Sequence, residues 1–199
     1  MNEIIFTLQK VNSMKIKSED LLDDLKSKTL KMIKHVESFQ RLSNNELNQQ
    51  PDEKKWSVLE CVEHLNLYSD FYINEFENKI SNSKYIASKY FKTGFLGGQF
   101  AKSMLPIGEK TPMKMKTFKS KIPDKSKLSM LTLEKFVNQQ KQIIKLIDKS
   151  RGVNLVKVKC NITLKKIKLR LGDTLRFYVF HNIRHIVQAN RVLGNKNDF

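Results

Sequence analysis

In four stretches of this 199-residue chain, apolar residues recur every three or four positions, the spacing that gives a helix one buried face. The first stretch runs from about Glu19 to Arg41 and aligns Leu21, Leu22, Leu25, Met32, Ile33, Val36 and Phe39. Ser18 stands where an N-cap is needed, and Glu19 and Asp20 follow it where the helix dipole favours acids. The polar run 43–55, with Pro51 inside it, closes this helix in a loop. A second helix opens at Ser57. Glu60 follows three residues later, the capping-box spacing at which each side chain satisfies a backbone N–H of the other residue. Trp56 precedes the cap, placed to staple onto Cys61, and the apolar row then runs through Val58, Val62, Leu65, Tyr68, Phe71, Tyr72 and Phe76 to about Ile80.

The third helix is expected from Leu131 to about Lys149, carrying Leu133, Phe136, Val137, Ile143, Ile144 and Ile147, with Gly152 as its stop. The fourth begins near Gly172 or Asp173 and reaches Leu193, with Gly194 behind it. Between them, residues 153–171 alternate only in part and read as an extended connection, since a lone hairpin is marginal in water. Four amphipathic helices without a convincing sheet point to an all-α fold, a four-helix bundle with one or more long connections. The expected layout is one domain over 1–199.

Residues 81–127 hold three of the four prolines and four of the seven glycines. A structureless stretch of this length is uncommon inside a compact domain, so this long irregular connection between helices two and three reads as a lid or insertion with short helices of its own. Its GFLGGQF segment is not a phosphate-binding loop, because no Gly-Lys-Ser/Thr follows at the required offset.

Composition removes several classes. No run approaches 18 apolar residues, so no membrane span is expected. The opening MNEIIFTLQK lacks the basic start and long apolar run of a secretion signal. Cys61 and Cys160 lie far apart without a CxxC pair, which argues against a disulfide framework or a zinc ribbon and for a soluble protein of a reducing cytoplasm. The charge is lopsided: 37 Lys and Arg against 20 Asp and Glu give +17. That balance raises nucleic acid or an anionic membrane surface as a partner. Only six of the cations are Arg, however, and forked guanidinium groups are what base-edge and bidentate phosphate recognition favours.

The histidines are the most informative polar residues. His181 and His185 are four apart on the fourth helix and project from one face, the spacing at which two imidazoles bind one metal ion. Phe177, Tyr178 and Val192 share their rows, so this face is an inward one. His64 lies on the apolar side of the second helix, between Cys61 and Tyr68. Three inward imidazoles on two helices suit a divalent cation. The competing reading is an ordinary hydrogen-bonded pair plus a structural histidine. His35, without a partner motif, reads as structural or solvated.

Two segments carry a resemblance: W56-S-V-L-E-C-V-E-H64-L, and L171-G-D-T-L-R-F-Y-V-F-H181-N-I-R-H185-I-V-Q188-A-N-R. They resemble the paired signatures of the DinB/YfiT-like superfamily, a Trp-Ser opening with His-Leu downstream and a Gly-started last helix bearing H-x-x-R-H-x-x-Q. The resemblance implies an up-and-down four-helix bundle, often a homodimer, with His64, His181 and His185 as metal ligands. Three imidazoles suit several divalent metals; zinc or nickel is expected first, with iron or manganese as further candidates, and the expected substrate is a small molecule. Known relatives include thiol S-transferases that use a low-molecular-weight thiol, and a thiol-dependent isomerase; nucleic-acid binding is not the usual role. The expected activity is therefore metal-dependent, of the thiol S-transferase or hydrolase kind.

A metal on three histidines keeps an open position, where it lowers the pKa of bound water toward about 7 or binds a thiol as thiolate. Asn182, Ile183 and Arg184 separate the paired histidines, so the general-base Glu of HExxH is missing. Arg184 and Gln188 either orient ligands or make ordinary contacts between helices. Glu60 either orients His64 or simply completes the capping box, and Cys61 is a small apolar filler. From Lys102 to Arg170 there are 19 basic and four acidic residues, a local net of +15, densest over 110–127. Three roles are open to that segment: steering an acidic substrate, binding an anionic partner as a non-catalytic module, or being merely solvated.

Overall fold

The computed structural model describes residues 15–105, 117–125, 128–164 and 166–194. The expected four-helix bundle is present, built from α1 (Ser18–Phe39), α3 (Val58–Ser81), α5 (Met130–Lys149) and α6 (Leu171–Val192). Two shorter helices accompany them, α2 (Asn44–Asn48) and α4 (Phe95–Met104). Two small antiparallel ribbons complete the structure, β1 (Lys15–Lys17) with β2 (Tyr90–Lys92) and β3 (Lys159–Asn161) with β4 (Lys168–Arg170).

The predicted apolar rows form the core. Leu21, Leu22, Leu25, Met32, Ile33, Val36 and Phe39 of α1 are all buried, as are Leu65, Tyr72 and Phe76 of α3 and Leu133, Phe136, Ile143 and Ile147 of α5. Ser57 caps α3 as expected: its hydroxyl accepts the Glu60 N–H, and the Glu60 carboxylate accepts the Ser57 N–H. The chain leaves α6 through Gly194 at φ +69, a left-handed conformation that a side chain disfavours. Ser18 differs from expectation. It is the first helical residue rather than the cap, and its hydroxyl donates at 2.7 Å to the carbonyl of Ser88, tying the start of α1 to the connection. The polar loop after α1 also contains structure. Ser43 and Glu46 make a second capping box and start α2, which buries Leu47.

Within the bundle the chain direction does not strictly alternate. Asn66 reaches Thr132, Asp70 reaches Gln139 and Glu77 reaches Lys149, so α3 and α5 run the same way. His64 meets His185 and Tyr72 meets Phe177, while Lys26 and Glu19 meet Asp148 and Arg151, so α6 opposes α3 and α5 opposes α1. Two parallel consecutive helices require the chain to travel the whole bundle between them. That is the physical reason for the long connection after α3. Its helix α4 makes the return journey along α6, with Gly97 beside Asp173 and Ser103 bonded to Arg184. The segment 153–171, read as extended, forms the β3–β4 ribbon, whose Cys160 and Leu169 are buried against the bundle. Half of the densest basic stretch, 110–116 and 126–127, lies outside the described residues.

Candidate metal centre

The capping box at Ser57 sets the axial register of α3, and His64 follows two turns later on its inward side. Opposite it, α6 is buried along most of its length, so its i and i+4 residues His181 and His185 face the same interior space. The ring centroids of His64 lie 5.3 Å from His181 and 4.5 Å from His185, and those of His181 and His185 are 4.7 Å apart. One nitrogen from each ring can be chosen so that all three lie within 4.8 Å of one another. Two imidazole nitrogens on a tetrahedral ion are separated by about 3.3 Å, given metal–nitrogen bonds of about 2.0 Å. The nitrogens of the cluster therefore lie within about 1.5 Å of the spacing a ligand set needs. Among the described residues it is the only group of three or more His, Cys, Asp or Glu side chains arranged to hold a metal.

Hydrogen bonds orient two of the rings. The Nδ1 of His64 lies 2.8 Å from the carbonyl oxygen of Lys121, which only accepts, so Nδ1 carries the proton and Nε2 keeps its lone pair. The Nδ1 of His185 donates at 2.9 Å to the Gln188 amide oxygen, with the same consequence. Lys121 is itself anchored: its ammonium donates to the Leu67 carbonyl and lies 5.3 Å from the Tyr68 ring centroid.

All three imidazoles are held neutral. Burial lowers the pKa of His64 to about 4, outweighing the Lys121 hydrogen bond, which acts in the opposite direction. Burial also pushes His181 and His185 well below the usual range, reinforced in both by neighbouring imidazoles and the Arg184 charge. Neutral imidazoles with free lone pairs are the form that binds metal.

A cavity of about 140 Å³ opens onto the triad, lined by Phe100, Met104, Phe118, Ile162, Leu164 and Phe177 together with Tyr68, Thr117, Thr163 and Arg184. No carboxylate lines it among the described residues. The connection after α3 supplies one wall and the β3–β4 ribbon another, so the two long connections build the cavity and α3 and α6 supply the imidazoles.

Among the other residues singled out in the sequence, Arg184 lines this cavity and donates to the Ser103 carbonyl at 3.1 Å. Gln188 bonds a triad ring directly. Glu60 does not reach His64: its carboxylate serves the capping box, accepts from Gln50 at 2.7 Å and faces Lys125 at 3.6 Å. Cys61 is buried, and burial raises its thiol far above the ordinary range; Cys160 is raised to about 12 by the same cause. His35 bonds Asn190 across the α1–α6 interface, away from the triad.

Three contributors were not anticipated. Trp56 does more than precede the cap: its ring lies 4.7 Å from His64 and 5.9 Å from His185, roofing the triad. The Tyr68 ring meets His64 edge-on at 4.9 Å and lies tilted against His181 at 4.8 Å. Its position four residues after His64 was the available signal. The Lys121 carbonyl had no sequence signal, because any residue has one.

The comparisons with known proteins bear on this geometry. The profile of the DinB superfamily matches residues 32–189, a span that includes all three histidines and all four bundle helices in whole or part. Comparison with curated proteins gives no match. Among solved structures the chain is similar to YfiT from Bacillus subtilis, at 17% identity and a TM-score of 0.49, over 90% of this chain and 89% of that one. That protein is described as "a probable metal-dependent hydrolase with an unusual four-helix bundle topology". With the family profile matched over most of its length, the chain belongs to the DinB superfamily.

Proposed function

We propose that this protein is a divalent-metal-dependent enzyme acting on a small molecule, with His64, His181 and His185 as the metal ligands. The observation that carries the reading is the convergence of three neutral imidazole nitrogens within 4.8 Å at the inner end of a cavity. Zinc and nickel suit an all-imidazole donor set best, with iron or manganese as alternatives. A bound cation supplies Lewis acidity at an open position, sufficient to ionise a coordinated water or thiol near neutral pH.

The protein's own residues select between these two. Among the described residues the lining offers no carboxylate to take a proton from water or pass it to a leaving group. A low-molecular-weight thiol needs no such base, because thiols ionise outright on coordination. Arg184 at the cavity wall adds positive charge that favours an anionic sulfur at the centre. Phe100, Met104, Leu164 and Phe177 exclude water and receive the apolar part of the substrate. A cavity of about 150 Å³ with apolar walls accommodates a benzene-sized group, so about 140 Å³ suits a compact electrophile. Thiol S-transfer is therefore the preferred activity and metal-assisted hydrolysis the second. Both cysteines are buried free thiols, in keeping with a reducing cytoplasm.

The test is metal analysis of protein purified without an affinity tag, followed by assays with thiols and small electrophiles. Wild type is expected to hold near-stoichiometric metal, and His64→Ala, His181→Ala and His185→Ala to lose it. Equal, negligible metal in all four proteins would sink the reading.

A further inference from the structure

At the end of the bundle where α1 begins and α3 ends, Lys15 of β1 stands opposite Lys92 of β2, and Lys17 opposite Tyr90. Alternation along a strand puts these four on one face of the ribbon, and all four are exposed, while Phe91 turns inward and is buried. The ammonium groups of Lys15 and Lys89 lie 4.4 and 5.7 Å from the centroid of the Tyr90 ring. A second exposed ring repeats the arrangement: Lys84 and Lys157 lie 6.0 and 5.7 Å from the centroid of Tyr85. Ile86, next to it and bridged to Val153, is 85% exposed. None of these six lysines forms an ion pair among the described residues, whereas Lys26, Lys79, Lys135 and Lys149 all face carboxylates elsewhere on the bundle.

We propose that this basic, aromatic face docks the protein on an anionic lipid bilayer. The lysines sit among the headgroup phosphates, Tyr85 and Tyr90 lie at headgroup level, and Ile86 enters the acyl boundary. Charge complementarity identifies the partner as polyanionic, and three features select lipid over nucleic acid. Every cation in the set is Lys, a point charge without the fork that nucleic-acid recognition favours. Tyrosines with an apolar body and a polar tip are the side chains that belt membrane interfaces. An aliphatic side chain left 85% exposed gains nothing on a phosphate backbone, but buries its surface in a bilayer. The face lies on the β1–β2 ribbon, the stretch leading into it and the segment just before β3, and uses none of the metal-centre residues.

The experiment is flotation of the full chain with vesicles of phosphatidylcholine alone and of phosphatidylcholine mixed with phosphatidylglycerol, at low and high salt. The protein is expected to float only with the anionic vesicles and to be released by salt. Each lysine near the surface contributes about fivefold in affinity, so the combined Lys15→Gln, Lys89→Gln and Lys92→Gln variant is expected to bind on the order of a hundredfold more weakly. Ile86→Ser is expected to weaken vesicle binding about tenfold by loss of apolar insertion, with charge unchanged. All four substitutions are at exposed positions, and unchanged circular dichroism and metal content verify folding. Failure to float at low salt, or equal flotation with neutral vesicles, overturns the proposal. So does tighter binding to duplex DNA than to anionic vesicles that Ile86→Ser leaves intact.

Discussion

The imidazole Nδ1 of His185 and the amide oxygen of Gln188 are hydrogen-bonded at 2.9 Å within a single turn of α6. A helix thus carries both a candidate ligand and the group that fixes its tautomer, three residues apart on adjoining faces. His64 is oriented differently, by the carbonyl of a residue 57 positions along the chain. One arrangement is local and survives wherever the helix forms; the other exists only when the connection after α3 is seated.

Gln188→Leu is accordingly expected to weaken metal binding by about ten- to a hundredfold, the usual effect of removing an outer hydrogen-bond partner of a ligating histidine. The fold itself should persist, because Gln188 is only partly buried. Competition with a metal-indicator dye reads the affinity. Trp56, the only tryptophan and centred 4.7 Å from the His64 ring, reports site occupancy by fluorescence. Metal affinity equal to wild type would show that Gln188 does not orient the ligand.

Stability of the metal-free protein should fall on acidification. An unfolded histidine titrates near 6.5, whereas burial holds folded His64 near 4. As pH drops through that window the unfolded chain takes up a proton that the folded protein resists, so folding loses ground between about pH 6.5 and 4. For His64 alone the difference amounts to ~3 kcal/mol, and His181 and His185 are shifted in the same direction. Thermal melts across this range should show a steep decline in wild type and a shallower one in His64→Leu. Parallel curves for the two proteins would contradict the assignment.

Gly97→Ala tests how α4 is seated. A methyl there would lie 2.5 Å from both Cβ and Cγ of Asp173, a buried residue whose carboxylate accepts from Thr93 and, at 2.8 Å, from the Gly94 N–H. Alanine ordinarily gains about 1 kcal/mol over glycine within a helix. Forcing α4 away from α6 costs about 1–3 kcal/mol and breaks the Asp173 contacts, so the net effect should be a lower melting temperature. Gly152→Ala, whose added methyl meets nothing within 4 Å, is the control and should be neutral or slightly stabilising. Equal melting temperatures for Gly97→Ala and wild type would show that α4 is not packed this way.

What the amino-acid sequence determined by itself was whatever depends on neighbours within a few residues. Apolar spacing located the four bundle helices, because a helix turns its i, i+3 and i+4 positions to one side. Ser57 with Glu60 marked the start of α3, because a capping box is closed within one turn. The same pattern at Ser43 and Glu46 was legible too, but a polar composition hid the short helix behind it. His181 and His185 were paired by helix geometry alone. Tertiary structure decided the rest. The parallel course of α3 and α5 follows from contacts between residues more than 60 positions apart, such as Asn66 with Thr132, and it explains why the connection is long. Ser18 does not cap because the helix already includes it, with Lys17 at the cap position, and its hydroxyl donates instead to a carbonyl 70 residues away. Glu60 proved to serve the cap rather than His64, and Trp56 proved to roof the imidazoles. The second outcome depends on how α3 meets α6, an interface fixed by the packing of large side chains from four helices at once.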